Sequence, residues 1–314
     1  MKLDNRIILI LVAAIGIYAI FLFMSDYNII SEKISNFKIG YLPLILFLVT
    51  ASWCPVFIKW HFLLKNCEID ISLTKNIAVF LSGLAFDITP GKLGALMKSQ
   101  ILKTGFNIPR TKTVPIVIVE KVYDLIGAIL ASIIGIIILG MDTYLIIIAI
   151  LVLSVIFFFV YYRPASELFF NRIMKLKFFS KYIENISGFY ETVQKSTNVR
   201  AATICILLAL AYWFMVSAAV YYTLIAFDVN ILDYLKVLAI YSTSTLLGAI
   251  SFIPGGVGIT EGTLAGLFTL EGISISTALI LSVMIRVLTL WYSVSVGFIA
   301  LKFTGGFSSR KDFS

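Results

Sequence analysis

The chain has 314 residues, of which 60% are hydrophobic and 13% charged, with a net charge of +8 at pH 7. Its mean hydropathy of +1.00 excludes an ordinary soluble domain and indicates a polytopic membrane protein. Three scattered cysteines and a single histidine provide neither a zinc pattern nor a disulfide framework. No metal and no cofactor are therefore expected. The basic residues cluster in loops between apolar runs, as in membrane proteins, so we expect no nucleic-acid partner.

Six apolar runs are long enough to cross a ~30 Å hydrocarbon core as helices. Lys2 and Arg6 precede the first run, and no cleavage site follows it, so it is predicted to remain as an uncleaved span. Lysines and arginines cluster after the second and fourth runs, which places these loops and both termini in the cytoplasm, with the protein in the cell membrane. The runs are 7–24, 41–58, 114–139, 144–162, 201–227 and 278–301.

Two further apolar regions, 77–102 and 235–270, are interrupted by Pro-Gly-x-x-Gly. The positive-inside rule is obeyed only if each region enters and leaves the membrane on the same side. The first region does so on the cytoplasmic side and the second on the outer side. A helix can be interrupted within the membrane only where its unpaired peptide groups are buried in protein or line a water-filled cavity. We therefore predict an all-α polytopic integral membrane protein with about six spanning helices, two opposed re-entrant helical hairpins and an inverted repeat.

The predicted organisation is a single transmembrane domain, 1–314. Within it, 74–162 forms the first repeat with the cytoplasmic hairpin, and 201–303 forms the second repeat with the external hairpin. The segment between them, 163–200, has apolar residues every three or four positions and is predicted to be an amphipathic cytoplasmic linker. It either packs beneath the bundle or lies on the anionic leaflet.

The candidate site combines the motif residues with the charges inside apolar runs. The second arm of each hairpin begins with free N–H groups, which favour an anion such as phosphate. Glu261 is expected to cap its helix or to contact a cation or headgroup amine. Arg286 suits phosphate, or a salt bridge to Glu261 or Glu120. Glu120 and Asp124 share a helix face and suit a proton or headgroup, whereas Lys121 suits an internal ion pair. The candidate substrate-binding residues are Pro90, Gly91, Lys92, Gly94, Lys98, Glu120, Lys121, Asp124, Pro254, Gly255, Gly256, Gly258, Glu261 and Arg286.

Four segments occur in the order DITPGKLGALMKSQIL, VEKVYDLIGA, FIPGGVGITEG and RVLTLWYSVSVG. Together they resemble the flippase-like domain of the lysylphosphatidylglycerol synthase transmembrane family, over most of the chain. The resemblance implies a membrane domain that moves lipids between leaflets, and the candidate residues other than the three lysines carry over as pathway residues. Ala95 departs from the acidic residue common in the family. The soluble aminoacyltransferase of full-length members is not expected here, so lysyl transfer is not assigned.

The predicted function is lipid transport, by a flippase or scramblase that moves a phospholipid or a related anionic or aminoacylated lipid. One alternative is a membrane subunit that partners a separately encoded lipid-modifying synthase through the amphipathic linker. A less favoured alternative is an integral-membrane lipid transferase with Glu120 and Asp124 as acid and base. The expected partners are membrane lipids, with the separate enzyme and a second copy of the chain left open.

Overall fold

The computed structural model describes residues 16, 31, 33, 35–89, 94–138, 144, 147, 150–155 and 186–303. Within these residues the regular structure is helical and contains no strand, which confirms an all-α polytopic membrane protein. In the same residues three helices are long and apolar enough to cross a membrane: Ile39–Asn66, Val199–Ala226 and Ile275–Phe303. The predicted span 7–24 except residue 16, most of the predicted span 144–162 and the first part of the linker lie outside the described residues.

The helices are numbered along the described part of the chain. A 3-10 turn (Ile39–Tyr41) precedes α1, a second one (Pro254–Gly256) precedes α8, and a π-helical turn (Val287–Trp291) joins α9 to α10 in one continuous element. The helices are α1 (Leu42–Asn66), α2 (Leu73–Leu84), α3 (Met97–Phe106), α4 (Arg110–Ile138), α5 (Ile186–Ser196), α6 (Val199–Ala226), α7 (Tyr234–Ile250), α8 (Ile259–Leu270), α9 (Ile275–Arg286) and α10 (Tyr292–Phe303).

The long helices extend beyond the apolar runs that predict them. Helix α1 continues to Asn66, although the run ended at residue 58, and α4 begins at Arg110 rather than at residue 114. The reason is that charged residues interrupt an apolar run without ending a helix: Lys59 is fully buried within α1, and Lys65 lies in its last turn. The first broken region is likewise wider than the predicted 77–102, since its two short helices extend from Leu73 to Phe106. The second extends from Tyr234 to Leu270 and matches the predicted 235–270 to within one residue.

The same order of elements occurs twice. A long helix, two short helices and a second long element make up α1–α4, and the order recurs in α6–α10. The leading helices α1 and α6 pack together and run antiparallel. At one end Lys38 N donates to Ala226 O at 2.9 Å, and at the other end Asn66 donates to the carbonyl of Lys195. Two units of like order with antiparallel leading helices have the inverted arrangement of many transporters.

Each pair of short helices returns to the end of the bundle at which it began. We call α2, α3 and the turn between them hairpin 1, and α7, α8 and their turn hairpin 2. In hairpin 1, Lys75 Nζ near the start lies 5.6 Å from the ring centroid of Phe106 at the finish. In hairpin 2, Lys236 near the start pairs with Glu271 after the finish, at 2.6 Å. The arms have 10 to 17 residues, so each arm is only ~15–25 Å long, shorter than a ~30 Å hydrocarbon core.

The two hairpins start from opposite ends of the bundle, and their tips meet inside it. The base of hairpin 1 follows the end of α1, and the base of hairpin 2 follows the end of α6, which is the opposite end because α1 and α6 are antiparallel. At the tips, Ile88 Cγ1 lies 3.3 Å from the position that a Cβ on Gly255 would occupy. Re-entry of these tips into a membrane stays a prediction.

The described part of the linker packs against the bundle at the base of hairpin 1. Tyr123 in α4 donates its hydroxyl hydrogen to Ser196 O at 3.0 Å, and Val193 is buried. Lys195 pairs with Glu68 at 3.0 Å; this hydrogen bond, with a smaller contribution from Lys112, lowers the pKa of Glu68. Of the two predicted positions for the linker, α5 therefore takes the one beneath the bundle.

Each hairpin also packs against the closing element of the other unit: α2 lies against α10, and α7 lies against α4. The first contact depends on Gly297 in α10, where an added Cβ would overlap the backbone of Ala85. Between α4 and α6, a Cβ on Gly127 would lie 2.7 Å from Ala209 Cβ. Gly127 therefore allows the close approach of α4 and α6.

We expect Gly297→Ala to destabilise the protein by about 1–3 kcal/mol, the usual range for overpacking a close contact. The matched control is Gly262→Ala in α8, where an added Cβ meets no atom within 4 Å and better helix propensity makes the change neutral or mildly stabilising. Thermal unfolding of the detergent-solubilised variants measures both. Equal melting temperatures for the two variants would contradict the close packing of α10 on hairpin 1.

We expect the bases of the two hairpins to be accessible from opposite sides of a membrane. The exposed Cys54 and the buried Cys67 and Cys205 are first replaced by serine. Single cysteines at Lys236 or Glu271 then react with an impermeant maleimide from one compartment, and single cysteines at Lys75 or Lys112 react from the other. Labelling of positions 75 and 236 from the same compartment would show that the bases do not face opposite sides.

Candidate functional site

A cavity of about 70 Å³ lies where the two hairpin tips meet. It is lined by α1, α6, α7, both tips and the segment that joins α9 to α10. Two charged side chains of opposite sign reach it, Asp87 from the tip of hairpin 1 and Arg286 from the end of α9. The remaining polar lining consists mainly of hydroxyl groups, from Ser52, Thr89, Thr245, Thr260, Thr289 and Ser293.

The tip of hairpin 2 is a sharp turn that only glycines make without strain. Gly255 and Gly256 have φ of 62° and 64°, and Gly258 has φ of 89°, in the region that residues with a Cβ rarely adopt. Helix α8 begins directly after Gly258. The Pro254-Gly motif therefore forms the tight turn that the sequence predicts, and Gly255 and Gly256 line the cavity.

A buried ion pair holds this turn. Glu261 Oε1 accepts a hydrogen bond from Arg286 Nε at 2.8 Å, and Glu261 Oε2 accepts one from the backbone N–H of Gly258 at 2.7 Å. Arg286 also donates to the carbonyl oxygen of Gly255. Both side chains are almost completely buried, at 5% exposure for Arg286 and 0% for Glu261.

This arrangement corrects one expectation from the sequence. The N–H of Gly258 at the start of α8 is not open to a phosphate, because the carboxylate of Glu261 already accepts from it. The two structural roles expected for Glu261 and Arg286, a helix cap and a salt bridge, are therefore both present. Arg286 is nevertheless part of the cavity wall, so the guanidinium combines a structural role with a place at the site.

The tip of hairpin 1 is held by a hydroxyl group. Thr89 Oγ1 accepts from Gly94 N at 2.6 Å, and it donates to Phe86 O at 2.7 Å. A Cβ on Gly94 would lie 2.6 Å from Thr89 Oγ1, so glycine is required there. The other candidate residues of this tip, Pro90, Gly91 and Lys92, lie outside the described residues.

The remaining candidate residues form a separate cluster behind hairpin 1. Lys98 of α3 pairs with Glu120 of α4, while Lys59 of α1 and Lys121 both pair with Asp124, the latter at 3.1 Å. Lys59 and Glu120 are fully buried, and Lys98 is nearly so. We call Lys59, Lys98, Glu120, Lys121 and Asp124 the charge cluster. Its members do not line the cavity.

An aromatic and amide layer covers the charge cluster from the side of α1 and α2. Lys98 Nζ lies 4.0 Å from the ring centroid of Trp60, a cation–π distance. Trp60 Nε1 in turn donates to Asn76 Oδ1 at 2.8 Å, and Asn76 Nδ2 lies 2.9 Å from His61 Nδ1. His61, the single histidine of the chain, therefore makes a hydrogen bond next to the charge cluster.

Sequence reasoning missed three sets of residues at this site. Asp87 lies three residues before Pro90 of the first Pro-Gly motif, and this proximity is the available signal. Lys59 directly follows the second apolar run, 41–58, so the hydropathy pattern places it outside the helix rather than inside the bundle. The cavity hydroxyls carry no sequence signal, because serine and threonine are common in any membrane helix. In the described part of the chain, no three His, Cys, Asp or Glu side chains are grouped so that they could hold a metal ion.

Comparison with known proteins matches the chain to one family model and to membrane proteins of two organisms. The family model described as the lysylphosphatidylglycerol synthase TM region matches residues 9–297. A UPF0104 membrane protein of Pyrococcus horikoshii is 25% identical over 268 residues, which cover 76% of this chain and 80% of that protein. A UPF0104 membrane protein of Methanothermobacter thermautotrophicus is 25% identical over 119 residues, which cover 38% of this chain and 35% of that protein.

We expect Glu261→Ala to lower the free energy of unfolding by about 3–5 kcal/mol, because it leaves the Arg286 guanidinium buried without its counter-charge. The control is Glu271→Ala, which removes the partly exposed pair with Lys236 and should change stability much less. Thermal unfolding in detergent measures both. The double variant Glu261→Ala/Arg286→Ala should lose less than the sum of the single losses; strict additivity would contradict a direct pair.

Proposed function

The chain belongs to the family of the lysylphosphatidylglycerol synthase transmembrane region, and from this premise we propose that it transports lipid between membrane leaflets. The cargo is a phospholipid or a related anionic or aminoacylated lipid. The observation that carries the proposal is the cavity at the meeting point of the two hairpin tips, with Arg286 and Asp87 in its wall. A polar cavity inside an otherwise apolar bundle can hold a lipid headgroup that has moved out of bulk water.

The cavity supplies the groups that a phosphorylated headgroup needs. The planar, permanently charged guanidinium of Arg286 favours phosphate oxygens. The hydroxyls of the wall offer hydrogen bonds in place of water, and Asp87 offers a negative charge opposite the arginine. The acyl chains stay outside, along apolar residues that the helices expose, such as Phe47, Leu207 and Ile299. In this proposal only the headgroup passes between the tips.

The distribution of charge supports an orientation in the cell membrane. Lysines and arginines around the base of hairpin 1 outnumber those around the base of hairpin 2, where Lys38 and Lys236 pair with Asp228 and Glu271. The positive-inside rule therefore favours the base of hairpin 1 as the cytoplasmic end. The end of α10 lies at this same end, in keeping with a cytoplasmic carboxyl terminus, and we propose that the amino terminus is cytoplasmic as well. The basic residues at this end include Lys65, Lys75, Lys103, Arg110 and Lys112.

We favour transport over a lipid-transferase activity. A transferase would use Glu120 and Asp124 as acid and base. Both carboxylates form ion pairs with lysines, and neither lines the cavity. The proposal requires no enzyme partner. A membrane subunit for a separate lipid-modifying enzyme is retained as an outcome of the experiment below.

We expect the purified protein, reconstituted in vesicles, to make a fluorescent phospholipid in the inner leaflet accessible to a membrane-impermeant quencher. Arg286→Ala should slow this transfer by about ten- to a hundredfold per folded molecule, as expected when a hydrogen bond to a charged group is lost. Lys38→Ala, which breaks an exposed ion pair far from the cavity, should transfer lipid at the native rate.

The other outcomes of this assay are also informative. Transfer at the native rate by Arg286→Ala would remove the guanidinium from the pathway. A chemically altered lipid would favour the transferase, and transfer that appears only when a lipid-modifying enzyme is added would favour the subunit. Vesicles with folded protein but no transfer under either condition would refute the proposed function.

A further inference from the structure

We propose that Glu120, in its pair with Lys98, is a proton-exchange site that couples lipid movement to a transmembrane pH gradient. This inference rests on the proposed lipid transport and adds its energy source. It concerns the charge cluster behind hairpin 1, which the description of the cavity leaves without a role.

The first observation is an incomplete hydrogen-bonding arrangement. The Glu120 side chain is fully buried in α4, and its Oε2 accepts from Lys98 Nζ. Among the described residues its Oε1 has no hydrogen-bond partner. A buried carboxylate oxygen without a donor is unfavourable. That oxygen is therefore the atom at which a proton can add, and the addition removes the negative charge that balances Lys98.

The second observation is the balance of charge around Glu120. Lys98 reaches it from α3, and Lys59 enters from α1. The buried Cys205 lies on α6, which packs against α4. Lys121 and Asp124 are on α4 itself. The three lysines pair with two carboxylates, Glu120 and Asp124. The charge cluster therefore has a net charge of +1 when all five groups are ionised, and one added proton raises the repulsion among its lysines.

The third observation is that the pair joins a hairpin to the frame of the bundle. Lys98 belongs to the second arm of hairpin 1, and Glu120 belongs to the long helix α4. The stem of Lys98 passes α2 at Gly83, where a Cβ would lie 2.9 Å from Lys98 Cγ. Glycine at this position leaves the space through which the lysine reaches Glu120. Protonation of Glu120 removes the counter-charge that holds Lys98, and hence the second arm of the hairpin, against α4.

The fourth observation connects the charge cluster to the cavity. Asp87 lines the cavity from the tip of hairpin 1, and Lys98 of the charge cluster belongs to the second arm of the same hairpin. A headgroup that moves the tip therefore changes the fit of Lys98 to Glu120, and protonation of Glu120 changes the hold on the tip. This reciprocity is the physical basis of the coupling.

The step itself is a simple protonation. A proton from water adds to Glu120 Oε1 and forms an O–H bond, and the carboxylate becomes a neutral carboxylic acid. The Lys98 ammonium keeps its three protons and loses its ionic partner. The proton leaves to the opposite compartment when hairpin 1 returns, so each cycle moves one proton and one lipid with no other reactant.

The test uses the full chain in vesicles with a trace of fluorescent phosphatidylglycerol. A pH difference of one unit is imposed while valinomycin and equal potassium hold the membrane potential at zero. With one proton per lipid, the steady-state ratio of the labelled lipid between leaflets should depart from its gradient-free value by about tenfold, and the departure should reverse with the gradient. The result does not depend on how the protein inserts, because the gradient acts across either orientation.

Glu120→Gln should abolish the departure, whereas Glu271→Gln, which alters a carboxylate at the base of hairpin 2, should keep it. Native protein that equilibrates lipid without any response to the gradient overturns the inference and leaves the proposed function intact. A full response from Glu120→Gln also overturns it. Absence of lipid movement under every condition refutes the proposed function instead. If Glu120→Gln does not fold, the response of the native protein still decides the question.

Discussion

A helix that turns back inside a bundle leaves peptide groups without helical partners, and hairpin 2 resolves this problem with a single guanidinium. Arg286 binds the carbonyl of Gly255 and the carboxylate of Glu261, and Glu261 accepts the N–H of Gly258. Backbone that would be unfavourable at this depth is thereby satisfied by three linked hydrogen bonds. Because the same side chain lines the cavity, the geometry of the site cannot be separated from the stability of the turn.

The two units share an order of elements but differ in chemistry. Hairpin 2 is closed by an ion pair at its tip, whereas the tip of hairpin 1 is closed by the Thr89 hydroxyl. The first unit instead places its ion pairs behind the hairpin, at Lys98 and Glu120, and leaves Asp87 facing the cavity. The two sides of the cavity therefore carry opposite charges. An inverted architecture in this protein does not produce two equivalent binding sites.

Periodicity and charge were sufficient to predict the all-α polytopic class, because these depend on the bilayer as a solvent. The second Pro-Gly motif also located the turn of hairpin 2, since few residues other than glycine allow the backbone of Gly255, Gly256 and Gly258. Tertiary pairing was beyond sequence reasoning: Arg286 had two plausible acidic partners, and only packing selects Glu261. Lys59 appeared to belong to a loop, because a hydropathy window cannot distinguish a buried lysine that meets Asp124 from one that ends a helix.

The packing of each hairpin on the other unit has a consequence for biosynthesis. Helix α2 is completed at Leu84, but its partner surface around Gly297 in α10 is translated about two thirds of the chain later. Until α10 has been synthesised, hairpin 1 lacks this partner surface. The contact between α2 and α10 can therefore form only late in synthesis, and hairpin 1 reaches its final packing after most of the other described helices have been made.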